Sequence, residues 1–433
     1  MGRSTVCERA AMTTRLPTTP TEGTPTEAMP PEAWPPARRL VQRMVAPVLR
    51  FTQIEAASGI ALIAATAVAL VCANSPWASH YNEIWAFEVG LQLGDVALVR
   101  PLGWVVNDIL MAVFFFVIGL EIRREMAFGA LDSRQKASLP AVAALGGMLV
   151  PAGIFVVLTD GEARAGWGVP MATDIAFALG ILTLLGPRVP PVLRILLLAV
   201  AVLDDLGAIL VIAIFYSNGV VWANLAVGAA GLGLIWVLQL AGVRRRAIYS
   251  LPAVLVWIGA YTGGLHPTIA GVLVGVMTPV RAWGLEARSP AADLIDRLHP
   301  WVAFGIMPVF ALANAGVSVT AGGSGGDGVG LAVAAGLVLG KPLGVGLAIA
   351  AAVGLGVARL PAGVGPREIL VLGCVAGIGF TMSLFIASLA FTDAALLDAT
   401  KLGVLVASAI AATATLLVGR LLLPVPATPS GEG

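Results

Sequence analysis

A chain of 433 residues that is 58% hydrophobic and only 12% charged, with a mean hydropathy of +0.91, falls outside the range of soluble domains, whose apolar share is about 45–50%. It reads as a polytopic membrane protein. A formal net charge of +1, with arginines confined to short clusters between apolar runs, excludes a nucleic-acid-binding role, which needs a basic stripe or domain.

In chain order, residues 1–37 are rich in Pro, Thr and Glu and poor in large apolar side chains, so they bury too little surface to offset their ordering entropy. This predicts a disordered cytoplasmic tail over 1–44. It is not a secretory signal, because no short apolar region follows the first basic residues. The first apolar run covers 52–74. The loop after it alternates (FEVGLQLGDVALV), which predicts a β-hairpin turning near Gly94 and Asp95, with an ordinary loop as the alternative. An exposed hairpin edge is a surface on which a second copy can pair.

Further apolar segments follow at 102–122, 138–158, 167–186, 191–216, 221–241, 246–263, 266–280, 298–316, 328–353, 368–391 and 398–423, before a short tail over 424–433. The seventh and eighth are short and joined by a tight Gly-Gly turn. With the N-terminus inside, the Arg and Lys of the short loops fall on the cytoplasmic side: Arg38, Arg39, Arg43 and Arg50, then Arg123, Arg124, Arg134 and Lys136, then Arg188 and Arg194, then Arg244 to Arg246, then Arg281, Arg288 and Arg297, then Arg359 and Arg367, and finally Arg420. Arg100, Arg164 and Lys401 fall outside. An odd number of spans would scramble this separation, so twelve spans with both termini cytoplasmic are expected.

Ionisable residues stand inside several of these runs. The second carries Glu121 near its cytoplasmic end (VIGLEIRRE) and Asp108 near the other, where facing external water is the simplest reading. The fourth carries Asp174 in PMATDIAFALG, with Pro170, Thr173 and Gly180 around it. Asp204 and Asp205 sit in the middle of the fifth, ILLLAVAVLDDLGAILVIAIFY. A carboxylate at such a depth costs about 2.5–3.5 kcal/mol even on insertion scales. Successive helical residues point about 100° apart, so the pair cannot share one partner, and at least one carboxylate is expected to look into a wet cavity. Lys341, in VLGKPLGVG of the tenth run, needs a carboxylate, and Asp204, Asp205 and Asp174 are the candidates. A static ion pair that fixes helix packing is the plainer alternative.

The eleventh run, GCVAGIGFTMSLFIASLAF, holds Gly373, Gly377, Gly379, Thr381 and Ser383 and, like the fourth, looks easy to unwind. Each is the middle member of a three-helix group, third to fifth and tenth to twelfth, the pattern of an inverted-repeat secondary transporter. Opposed half-helix ends there would be offset by one acidic and one basic side chain, Asp174 and Lys341. Close helix packing is the alternative reading of the glycines. The three cysteines, Cys7, Cys72 and Cys374, show neither metal-ligand nor disulfide spacing. With no phosphate-binding GxxxxGK[ST] loop and no nucleophile triad, neither ATP hydrolysis nor covalent catalysis is indicated; no cofactor is expected, and transport would draw on an ion gradient.

The stretches NDILMAVFFFVIGLEIRRE, ATDIAFALGIL, AVLDDLGAILVIAIFY, LHPTIAGVLVG, LHPWVAFGIMPVFALANAG, GKPLG and GIGFTMSLFIASLAF, in this order, resemble the NhaA sodium/proton antiporters over residues 45–423. The resemblance implies an all-α fold of twelve transmembrane helices with two discontinuous ones crossing at the midplane. It implies a homodimer in a bacterial inner membrane, and electrogenic export of Na+ or Li+ against entering H+ that regulates intracellular pH and sodium. By motif it makes Asp205 the principal cation and proton carboxylate, Asp204 its neighbour able to pair with Lys341, and Thr173 a possible ligand. Asp174 and Lys341 would compensate helix dipoles, and Glu121 and His266 would take part in pH sensing. Asp293 and Asp296 do not fall where the family's further pH-sensing acid is expected, and the tail before Met44 lies beyond the resemblance. The alternatives are a sodium-coupled solute symporter of similar build, an intramembrane aspartyl protease, which would need aspartates on facing helices, and a passive channel, which Lys341 would oppose.

Overall fold

The computed structural model describes residues 57–93, 96–129, 132, 134–217, 219–281, 289–319 and 327–424, all within the unit Arg50–Gly433. The expected tail over 1–44, the turn residues Gly94 and Asp95, most of the glycine-rich loop after the ninth apolar run and nearly all of the 424–433 tail lie outside the described residues.

The described residues open with α1 (Ala57–Ala73), which stops before Asn74-Ser75-Pro76, where the proline disfavours a helical conformation for the residue ahead of it. A short α2 (Ala78–Ala86) leaves at 114° to α1, an elbow that hydropathy alone did not foretell. The alternating stretch forms β1 (Glu88–Leu93) and β2 (Val96–Pro101), antiparallel in a register that pairs Leu93 with Val96. The helices α3 (Leu102–Phe128), α4 (Arg134–Leu158), α6 (Pro191–Phe215), α7 (Trp222–Leu240) and α8 (Ala247–Thr262) then follow, with a 3-10 helix (Gly161–Met171) and α5 (Ile175–Leu184) between α4 and α6. The turn out of α8 uses Gly264 at φ +83°, a conformation open to glycine without steric cost, and leads into α9 (Pro267–Met277).

The next helix, α10, runs from Pro290–Trp301 through a π turn at Val302–Ile306 into Met307–Asn314. It begins earlier than the apolar run at 298 because Ser289 caps it, accepting the Ala292 amide at 3.2 Å, and Pro290 occupies its first position. Asp293 therefore lies in its first turn, where it meets Arg246 and, at 3.0 Å, Arg297. After it come α11 (Gly328–Gly354), α12 (Pro366–Ala376), α13 (Phe380–Ala390) and α14 (Ala394–Leu422). α11 holds a second π turn, Gly336–Gly340. In both cases a proline follows closely, Pro308 and Pro342. Its missing amide and its ring's conflict with the carbonyl four residues back are absorbed by widening the preceding turn.

Small residues set the helix contacts. A Cβ on Gly344 of α11 would overlap the Gly146 carbonyl of α4, one on Gly271 of α9 the Ala112 carbonyl of α3, one on Gly259 of α8 the backbone of Gly228 in α7, and one on Gly403 of α14 would crowd Gly330 of α11. Six helices are long and apolar enough to cross a membrane among the described residues, or up to nine if each of three sharply bent pairs is one span. The protein is thus a predominantly helical, multi-pass membrane protein. Its buried apolar core runs through α3, α4, α6 and α10 to α14, with Phe115, Phe155, Phe310 and Phe385 among its largest members.

Candidate functional site

The 3-10 helix ends at Met171; Ala172 and Asp174 then take extended backbone, and α5 restarts at 52°. On the other strand of the arrangement α12 ends at Ala376, and α13 restarts after Gly379 at 46°. The two breaks are bonded directly to each other. The Asp174 amide donates to the Ile378 carbonyl at 2.7 Å, and the Thr173 hydroxyl to the Ala376 carbonyl at 2.9 Å, so carbonyls freed where one helix stops find donors on the other broken segment.

Asp174 serves two helix starts at once. Its Oδ1 accepts the Phe177 amide in the first turn of α5 (3.0 Å), and its Oδ2 accepts both the amide (3.1 Å) and the hydroxyl of Thr381 in the first turn of α13. A carboxylate is the fitting cap for two partially positive N-termini. Lys341 stands on the other side of the crossing, directly after the π turn of α11. Its Nζ donates to Asp204 Oδ2 at 2.7 Å and to Thr173 Oγ1 at 2.9 Å, and Thr173 in turn reaches the last carbonyl of α12. The two helix N-termini thus share the Asp174 carboxylate, while Lys341 reaches the end of α12 through the Thr173 hydroxyl.

Thr173, Asp174, Asp204, Asp205 and Lys341 are all 2% exposed or less. Asp204 Oδ1 and Asp205 Oδ1 are buried without a hydrogen-bond donor among the described residues. An ionised carboxylate oxygen in such a position is costly, so a proton or a cation at either would relieve it. The charged groups acting on Asp205 are Asp204, Asp174 and Glu121 of like sign and Lys341 of opposite sign. No cluster of three or more His, Cys, Asp or Glu side chains fit to hold a resident metal occurs among the described residues. The donors gathered here are oxygens, two carboxylates, a hydroxyl and nearby carbonyls, a set matched to hard cations.

Glu121 and His266, grouped in the sequence reading, are not brought together. Glu121 lies thirteen residues beyond Asp108 on α3, about 20 Å along the axis. His266 caps α9, its Nδ1 2.8 Å from the Thr268 hydroxyl, and its Nε2 lies 3.6 Å from Asp108 Oδ1. Asp108 does not simply face water, as its position near the span's end had indicated: its side chain is 14% exposed and sits in a third π turn, Val105–Leu110, against His266. The His266 ring also meets Phe385 of α13 edge-on. Three further polar links join elements around the site. Asn314 and Asn107 join α10 to this π turn through their amides (2.8 Å), Ser383 donates to the Val169 carbonyl (2.7 Å), and Tyr216 contacts the 3-10 helix. The hydroxyls at 381 and 383 carried a signal, small polar residues in a glycine-rich break; the asparagines and Tyr216 carried none.

The fold and the site define a multi-pass membrane protein with charged side chains buried at the crossing of two broken helices. Residues 49–418 match the family model described as Na+/H+ antiporter 1. The chain is 53% identical to Na(+)/H(+) antiporter NhaA 2 of Myxococcus xanthus (strain DK1622), over 90% of this chain and 92% of that one. It is 49% identical to Na(+)/H(+) antiporter NhaA of Acidovorax sp. (strain JS42), over 86% and 91%. To Na(+)/H(+) antiporter NhaA of Cronobacter sakazakii (strain ATCC BAA-894) it is 48% identical, over 85% and 96%. The chain belongs to the Na+/H+ antiporter 1 family.

Proposed function

We propose that the protein is an electrogenic Na+/H+ antiporter in which Na+, or Li+, and protons compete for Asp205 and Asp204, exporting the metal as protons enter and so regulating intracellular pH and sodium. The observation that carries this reading is the buried constellation of Asp204, Lys341 and Thr173 beside Asp205, with one oxygen of each aspartate lacking a donor. A carboxylate held by a lysine can exchange that partner for a proton or a metal cation, and Thr173 and backbone carbonyls freed at the breaks supply further oxygen ligands. Two carboxylates and a lysine give the site more than one exchangeable proton per cation, which supports a net charge movement.

Asp174 and Lys341 are assigned to charge compensation at the broken helices, and Glu121 and His266 to pH sensing from two ends of α3. We read the bent pairs flanking the crossing as the fourth and eleventh of twelve spans in inverted three-helix repeats, alternating access by moving one helix group against the other. The folded domain spans 45–423 in a bacterial inner membrane, with the 1–44 and 424–433 tails cytoplasmic, and the β1–β2 hairpin edge is the surface offered to a second copy. Among the alternatives, the protease reading needs Asp174 free to face Asp205, whereas Asp174 is committed to Phe177 and Thr381. The relatives named above carry antiport rather than solute symport in their names.

The test is exchange in proteoliposomes with a trapped pH dye. External Na+ or Li+ is expected to release luminal protons, choline is not, and Asp205→Asn is expected to abolish the signal while leaving the protein folded. Wild-type exchange by that variant would sink the assignment.

A further inference from the structure

The 3-10 helix Gly161–Met171 runs for eleven residues, whereas such helices usually stop after about three or four. An element this long needs support from outside itself. At its inner end Pro170 prevents closure into an α-turn, and Ser383 binds the Val169 carbonyl. Over its middle there is no such block. There the Tyr216 hydroxyl donates to the Ala165 carbonyl at 2.7 Å and accepts the Gly168 amide at 3.3 Å.

Tyr216 is the residue that closes α6, the helix bearing Asp204 and Asp205. The contacts therefore form a closed circuit. Asp204 is joined to Lys341, Lys341 to Thr173, Thr173 through the 3-10 helix to Ala165, Ala165 to Tyr216, and Tyr216 down α6 to Asp204. The α6 side, from Asp204 to Tyr216, rises about 18 Å. The other side rises about 12 Å from Ala165 to Met171 at the 3-10 spacing of 2.0 Å per residue, and the extended step through Ala172 to Thr173 adds about 7 Å. Wound as an α-helix, Ala165 to Met171 would rise only about 9 Å, leaving this side about 3 Å short of making both contacts.

We infer that Tyr216 is a positioning residue for cation binding: its hydroxyl pins the middle of the 161–171 segment at Ala165 and Gly168, keeps the stretch from there to Met171 extended, and so holds the Thr173 hydroxyl at the carboxylates. This rests on the reading of Thr173 as a cation ligand. Tyr216 lies far from the reacting oxygens and acts only through Thr173, which separates it from the residues that bind the ion.

The test uses the full-length protein in proteoliposomes, comparing Tyr216→Phe, Thr173→Ala and the double variant. Tyr216→Phe is expected to raise the apparent KM for Na+ by about two- to tenfold, the range for losing one net hydrogen bond, with Vmax within about twofold of wild type. In the Thr173→Ala background it is expected to add nothing. Gly168→Ala, whose Cβ would stand 3.0 Å from the Tyr216 hydroxyl, is expected to raise KM as well and gives the answer if Tyr216→Phe folds poorly. An unchanged KM in Tyr216→Phe or Gly168→Ala while Thr173→Ala raises it overturns the inference, as does a double variant in which the two effects multiply. An unchanged KM in Thr173→Ala itself overturns the ligand reading of Thr173, and the inference with it.

Discussion

The two bent helix pairs meet at one crossing but keep their shape by different means. The first half of one, α12, is an ordinary α-helix, begun by Pro366 and by the Glu368 carboxylate on the Gly365 amide (2.8 Å), with its hydrogen bonds closed within itself. The first half of the other, Gly161–Met171, is a stretched 3-10 helix that depends on Tyr216 and Ser383 of other elements. The second halves, α5 and α13, match each other, both starting on Asp174. Two segments can thus share a bend and a partner while only one is internally self-sufficient. The dependent one presents Thr173 to Lys341, so the side chain most exposed to mechanical adjustment lies at the ionisable cluster.

Removing the groups that the two pairs share breaks the comparison most severely. Lys341→Met leaves Asp204 buried without its ion-pair partner, and a loss of about 3–5 kcal/mol is expected, read as a large fall in the melting temperature of the detergent-purified protein. Asp174→Ala strips the start of α5 and of α13 together and is expected to cost about 3 kcal/mol by the same measurement; a loss no greater than that of an ordinary single cap would mean that the crossing does not couple the two halves.

Smaller changes sharpen the asymmetry. Ser383→Ala and Thr381→Ala each remove one hydroxyl and are expected to cost about 1 kcal/mol. Only Ser383→Ala touches the 3-10 half, so hydrogen exchange measured by mass spectrometry is expected to speed up over 161–171 in that variant and not in Thr381→Ala. The smallest effect belongs to Glu368→Ala, about 0.5–1 kcal/mol, because α12 loses a single end contact and no packing.

The ionisable residues of the crossing were legible because charge inside an apolar run is rare and expensive. Asp174, Asp204, Asp205 and Lys341 announced themselves by that cost, whereas Thr173 gained its place in the site only through the family resemblance. The hairpin was one of two readings that alternation left open, and its two strands pair with Leu93 opposite Val96. Other features had no local signal. Tyr216 meets a backbone group 48 residues away and Asn107 a side chain 207 residues away, and neither residue is unusual in its own neighbourhood. The π turns before Pro308 and Pro342 leave hydropathy unchanged, so composition cannot show them. The separation of Glu121 from His266 follows from the length of α3 and the docking of α9 against it, a tertiary fact that motifs on two distant stretches do not encode.

The claim that metal and proton compete for the same carboxylates is tested most directly by electrical recording of charge movement on a supported membrane, with the apparent KM for Na+ determined across a pH series. Competition predicts that KM rises as pH falls, by about tenfold per pH unit for each competing proton, while the maximal current stays constant. A KM independent of pH, with the current alone changing, would contradict a shared site and place the proton elsewhere.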